Sequence, residues 1–171
     1  MSQRKRPPFD ADERTQLLGW YQLQRDIIIL KTDGLSEEDA HRVVVATSPL
    51  MTVAGVVSHL RWVEHTWYEV AFLGHDPVGS PAFADGPEDL DFIVAAERPL
   101  AELIADYRAQ CARSDEIIAG ASLDDLGRFN GFPAGHASLR WMVIHMVEET
   151  ARHAGQLDII RELLDGATSY Y

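Results

Sequence analysis

Cysteine is nearly absent from this chain: Cys111 is the one thiol in 171 residues. A lone thiol forms neither an internal disulfide nor a multi-thiolate zinc site. Such sparing use of cysteine suits a reducing compartment, and a cytoplasmic location is expected. No stretch approaches the roughly eighteen uninterrupted apolar residues of a membrane-spanning helix, so none is expected. Positive charge is scarce as well, with 15 Lys and Arg against 27 Asp and Glu and a net charge of −12. That balance argues against the basic face that phosphate backbones require and against anionic membranes, so neither nucleic acid nor membrane is an expected partner. The phosphate-cradling glycine loops, the dinucleotide fingerprint and the nucleophile elbow are all missing, and no Ser-His-Asp triad can be argued. The opening MSQRKRPPFD is basic, but no apolar run follows it, so it does not read as a secretory signal. Arg4-Lys5-Arg6 reads as part of a solvated, flexible tail over residues 1–9, with a localisation or docking patch as the alternative.

What remains is the composition of a globular chain. The apolar share is 46% and the charged share 25%, which excludes general disorder. The length predicts a single domain over residues 1–171, large enough to bury a full core. Helical periodicity predicts four long helices: Glu13 to Lys31, Thr52 to Leu73, Leu100 to Ala119 and Leu139 to Leu164. Asp33-Gly34, Gly74 and Asp165-Gly166 are the predicted stops, and a short helical turn is expected after Ser36. Residues 74–98, rich in Gly, Pro and acids, form a long connection of the kind that serves as a lid or crossover. Within it Asp91-Phe92-Ile93-Val94 is expected to be extended. The class is therefore all-α, a four-helix bundle with a long crossover connection.

The apolar stripes are interrupted in an informative way. On a wheel of about 100° per residue, Leu139, Met142, Met146, Leu157, Ile160 and Leu164 occupy one sector of the last helix. Glu149 falls beside that sector and His153 inside it, one turn apart. His145 lies a turn earlier on the flank, whereas Glu148 and Arg152 point to solvent. A buried carboxylate needs a partner. A Glu and a His at this spacing converge on one point, as ligands on a helix do. His59, at the edge of the second helix's stripe, supplies a third donor, and inward-facing residues on different helices are how bundles hold metals. The same trio also reads as a hydrogen-bonded core cluster without an ion. His145 is an alternative ligand to His153, but the two are about 12 Å apart along the helix and do not share one ion comfortably. His145 is better read as a pocket wall or as a group behind the ligands.

Glu64 projects into the second helix's stripe, either to orient a ligand, to exchange a proton, or as a satisfied core carboxylate. His65 and His75 read as surface or loop residues, His41 as structural and His136 as a solvated loop residue, with the wall of a pocket mouth as its alternative. Trp62, Trp67 and Trp141 read as packing, and Cys111 as buried and inert.

The segment HMVEETARHAGQLDIIRELLDG, His145 to Gly166, resembles the C-terminal signature of DinB-like metal-binding proteins, closest to the actinobacterial branch with mycothiol-linked members. SHLRWVEHTWYE, Ser58 to Glu69, is similar to that family's second-helix motif. The resemblance follows the layout of nearly the whole chain but is specific in these two helices alone. It implies a four-helix bundle, often dimeric, with a three-residue metal site whose ligands here are His59, Glu149 and His153. Many members have His at both positions of the last helix; the Glu/His pair here is similar to that of mycothiol-dependent maleylpyruvate isomerases.

Characterised relatives resemble thiol S-transferases, which implies a metal-dependent transfer of a mycothiol-like thiol to an electrophilic small molecule. His145 and Glu64 are the candidates for positioning a ligand or moving a proton. Zinc is the expected metal, and nickel, iron and manganese suit the same donors. A metal-dependent hydrolase and a non-enzymatic metal-binding bundle are the alternatives, and a homodimer is compatible with all three readings.

Overall fold

The computed structural model describes residues 5–168; Arg4 and the rest of the first four residues lie outside it. Among the described residues the regular structure is helical, apart from one isolated antiparallel bridge between Leu126 and Ser138. The α-helices are α1 (Glu13–Leu30), α2 (Glu37–His41), α3 (Val53–Glu64), α4 (Leu90–Ile93), α5 (Leu100–Ala119) and α6 (Leu139–Asp165). The chain is all-α, and its four long helical stretches are compatible with the predicted bundle.

The ends of these helices follow from local chemistry. Asp12 caps α1 by accepting the Thr15 N–H at 3.0 Å. Ser36 caps α2 through the Asp39 N–H at 3.1 Å. Gly34, Gly74 and Gly166 take the left-handed backbone at the three predicted stops, with φ of 75°, 74° and 75°.

Two features depart from the sequence reading. Asp91-Phe92-Ile93-Val94 is helical rather than extended. Asp89 adopts φ 59°, which turns the chain, and its carbonyl accepts the N–H groups of Phe92 and Ile93 at 2.9 and 3.1 Å. The second predicted helix is also not uniform. From His65 to Phe72 it runs as a π-helix directly after α3. At its end the Leu73 N–H reaches back five residues to the Tyr68 carbonyl and the His75 N–H six residues to that of Glu69, at 3.2 and 3.0 Å.

The chain divides into two compact units, Met1–Val53 with Val143–Tyr171, and Ala54–Met142. In the first, the end of α1 meets the last part of α6. Tyr21, Leu23, Ile27 and Ile28 are buried there, as are Met146, Leu157 and Ile160. Lys31 pairs with Asp158, and Arg161 donates to the Lys31 and Asp33 carbonyls at 2.7 and 3.2 Å. Those carbonyls follow the end of α1, where backbone acceptors lack helical partners.

In the second unit, α3 and the π-helix bury Val56, Val57, Leu60, Tyr68 and Val70. The α5 helix adds Leu103, Tyr107 and Ile118. Polar ties join these elements: Gln110 donates to Glu69 at 2.9 Å and Cys111 to Glu64 at 3.4 Å. The π-helix also anchors the loop before α6. Its Ala71 carbonyl accepts both the Arg128 and Phe129 N–H groups, at 2.9 and 3.2 Å.

Candidate functional site

Glu149 and His153 meet on α6 as their spacing predicts. His153 Nε2 and Glu149 Oε1 are 3.2 Å apart, with 9% and 14% of their side chains exposed. A carboxylate and an imidazole so withdrawn from water interact with little screening by salt. Glu148 and Arg152 are exposed, as expected, and form an ion pair. Arg152 also comes within 3.7 Å of Glu149, so it is a neighbour of the pair rather than turned away from it.

His145 is partly exposed, and its Nδ1 lies 3.7 Å from the Glu148 carboxylate. The structure thus places it beside Glu148. Rotation by three residues rather than four brings it to the solvent-side acid.

His59 sits on α3 and is half-buried. Its Nδ1 lies 2.6 Å from Asp91 Oδ2, and the Phe92 ring stacks on its face with centroids 4.3 Å apart and planes at 18°. Neighbouring Ser58 donates to the Asp91 carbonyl at 2.6 Å. The 74–98 connection therefore supplies the residue that holds His59. Sequence reasoning missed Asp91 in this role because the contact spans 32 positions and depends on α4 being helical. The available signal was an acid followed by an aromatic within a connection too long to be idle.

Glu64 is completely buried, as the wheel predicts, and accepts the Cys111 thiol. Cys111 is half-buried rather than fully buried as expected, and its thiol donates to the Glu64 carboxylate.

His65 is a correction. Its side chain is only 19% exposed, and it lies 3.2 Å from Glu69 rather than at the surface. Glu69 also faces His75 at 3.9 Å, Arg113 at 4.0 Å and the Gln110 amide. Burial opposes its charge, but the Gln110 hydrogen bond, His65 and Arg113 outweigh that and hold its carboxyl below the usual range. His136 ends a short 3₁₀ turn, Pro133–His136, and is exposed, in keeping with its reading as a solvated residue. Trp67 and Trp141 pack together at 5.4 Å, and Phe132 meets Trp67 at 5.6 Å.

Beside Ser58 a small cavity of about 60 Å³ is lined by Arg61, Trp62, Arg98, Leu103 and Asp106. The Arg61 guanidinium lies 3.7 Å over the Trp62 ring. Burial pulls its pKa down, against the opposing charges of Asp106 and Glu69. A separate open cleft of about 550 Å³, between Phe72, Arg113, Asp125 and Arg128, contains none of the predicted site residues.

Two imidazoles and a carboxylate are a donor set that borderline divalent metals accept, and three protein ligands leave positions for other molecules. No helix among the described residues is long and apolar enough to cross a membrane. The family model described as mycothiol-S-transferase matches residues 16–166. No curated protein and no solved structure matches the chain.

Proposed function

The chain belongs to the mycothiol-S-transferase family, and on that footing we propose that it joins a mycothiol-like thiol to an electrophilic small molecule at a divalent metal. His59, Glu149 and His153 are the proposed ligands, each contributing one atom. The observation that carries this reading is the withdrawn Glu149–His153 pair on α6, within the segment that the family model matches. His59 would bind through Nε2, because Nδ1 faces Asp91. Glu149 brings negative charge against the cation, and the two imidazoles add neutral donors. Zinc is the proposed metal.

A cation at this point favours the thiolate form of an approaching thiol. The chain's own groups do the rest. His145 is partly exposed and Glu64 is buried. His145 therefore accepts the proton that the thiol loses, and Glu64 stays an internal positioning group. The sulfur forms a bond to the electrophilic carbon, and the leaving group departs with the electron pair of the bond that breaks.

Mycothiol-dependent consumption of monochlorobimane tests this. The account expects turnover only with thiol present, falling at least about tenfold in His153→Ala and Glu149→Ala, since even partners behind a metal ligand typically cost about 10–100-fold. Turnover of esters or amides without thiol, unaffected by adding it, would instead favour metal-assisted hydrolysis.

A further inference from the structure

The 74–98 connection reaches His59 through a compact set of contacts. Asp89 turns the backbone into α4. Ser58 then fixes the Asp91 carbonyl at 2.6 Å. Both carboxylate oxygens of Asp91 are engaged: Oδ1 accepts the Phe92 N–H at 3.1 Å, and Oδ2 lies 2.6 Å from His59 Nδ1. Phe92 covers the flat face of the same imidazole at 4.3 Å. The side chains of His59 and Asp91 are 15% and 16% exposed, so bulk water screens their interaction weakly.

We infer that Asp91 is a positioning residue for the proposed metal site, and that it couples the 74–98 connection to metal loading. This rests on the reading of His59 as a ligand. A neutral imidazole has one N–H donor and one lone-pair nitrogen. A carboxylate at 2.6 Å from Nδ1 draws the hydrogen there and leaves the lone pair on Nε2. The same carboxylate raises the electron density of the ring, and such partners typically change metal affinity by about 10–100-fold. Phe92 restricts rotation of the ring, so its direction is set before an ion arrives. Coupling runs both ways. An ion on Nε2 makes Nδ1–H a stronger donor, which tightens Asp91 and the helical turn that carries it.

The test measures zinc affinity by competition with a chromophoric chelator, together with ¹⁵N shifts of the His59 ring at neutral pH. Asp91→Ala should weaken zinc binding by about 10–100-fold. It should also convert the ring from one tautomer to a mixture. Asp91→Asn retains an oxygen that accepts the Nδ1–H but loses the charge. It should keep the tautomer and bind zinc with intermediate affinity, even if the alanine variant folds poorly. Zinc should slow hydrogen exchange at residues 92–95 in the parent protein. Parent-like affinity and an unchanged tautomer in both variants would overturn the inference. His59→Ala separates the two levels of the argument: unchanged zinc affinity in that variant would mean that His59 is no ligand, which overturns the underlying reading as well.

Discussion

Gly135 and Gly155 are expected to respond oppositely to the same substitution. A Cβ at Gly135 would lie 2.1 Å from the Phe129 carbonyl oxygen, which belongs to the backbone and cannot swing aside. Gly135→Ala should therefore cost about 1–3 kcal/mol in urea unfolding. Gly155 lies on the exposed side of α6, with nothing within 4 Å of its added Cβ. Gly155→Ala should stabilise by about 0.5–1 kcal/mol by lowering the entropy of the unfolded chain and favouring helix. Equal effects of the two would show that loop 127–135 is looser than described. The helical wheel made some residues legible and not others. Glu64, Glu149 and His153 lie where it places them, because each interrupts a stripe of regular α-helix. Asp91 was not legible, since its partner is remote in sequence. His145 was placed on the correct flank, but the sequence did not distinguish Glu148 from Glu149 as its neighbour.

Among the elements, the close of α1 is held by Asp158 and Arg161 of α6. Arg161 is nearly buried and holds the Lys31 and Asp33 carbonyls while also pairing with Asp165 at 2.7 Å. Arg161→Ala should cost about 2 kcal/mol, as loss of charged hydrogen bonds does. Arg161→Lys should recover little, because an ammonium lacks the planar fork. Full recovery in the lysine variant would mean that charge alone matters there. The limits of α1, α5 and α6 were read closely from the sequence because caps and glycine stops are local signals. The π-helix was not. Its residues continue the apolar pattern of α3, and the wider turn has no local cap or glycine to mark it. From His65 onward a wheel of about 100° per residue no longer applies, so the burial of residues 65–72 is not legible from it.

For the molecule as a whole, pH and metal are the variables that its charge pattern makes informative. Glu69 has a folded-state pKa below its ordinary value. Its contribution is thus fully present above the ordinary glutamate value of about 4.3 and is lost as pH falls through the lower, folded value. Glu69→Gln should flatten the acid limb of stability against pH below about 4.3 and should not alter the slope between pH 5 and 7 attributable to this group. An unchanged acid limb would mean that His65, Gln110 and Arg113 do not favour the carboxylate as their placement indicates. A bound ion should raise thermal stability with the logarithm of its concentration above Kd, by about 2.7 kcal/mol at one hundred times Kd. His153→Ala should show little of that gain.

Elemental analysis of untagged protein, purified without chelator alongside His153→Ala, tests the central claim most directly. The account predicts close to one equivalent of divalent metal in the parent protein and little in the variant. No metal in either, even after incubation with zinc or nickel, would make His59, Glu149 and His153 a structural cluster and contradict the proposed chemistry.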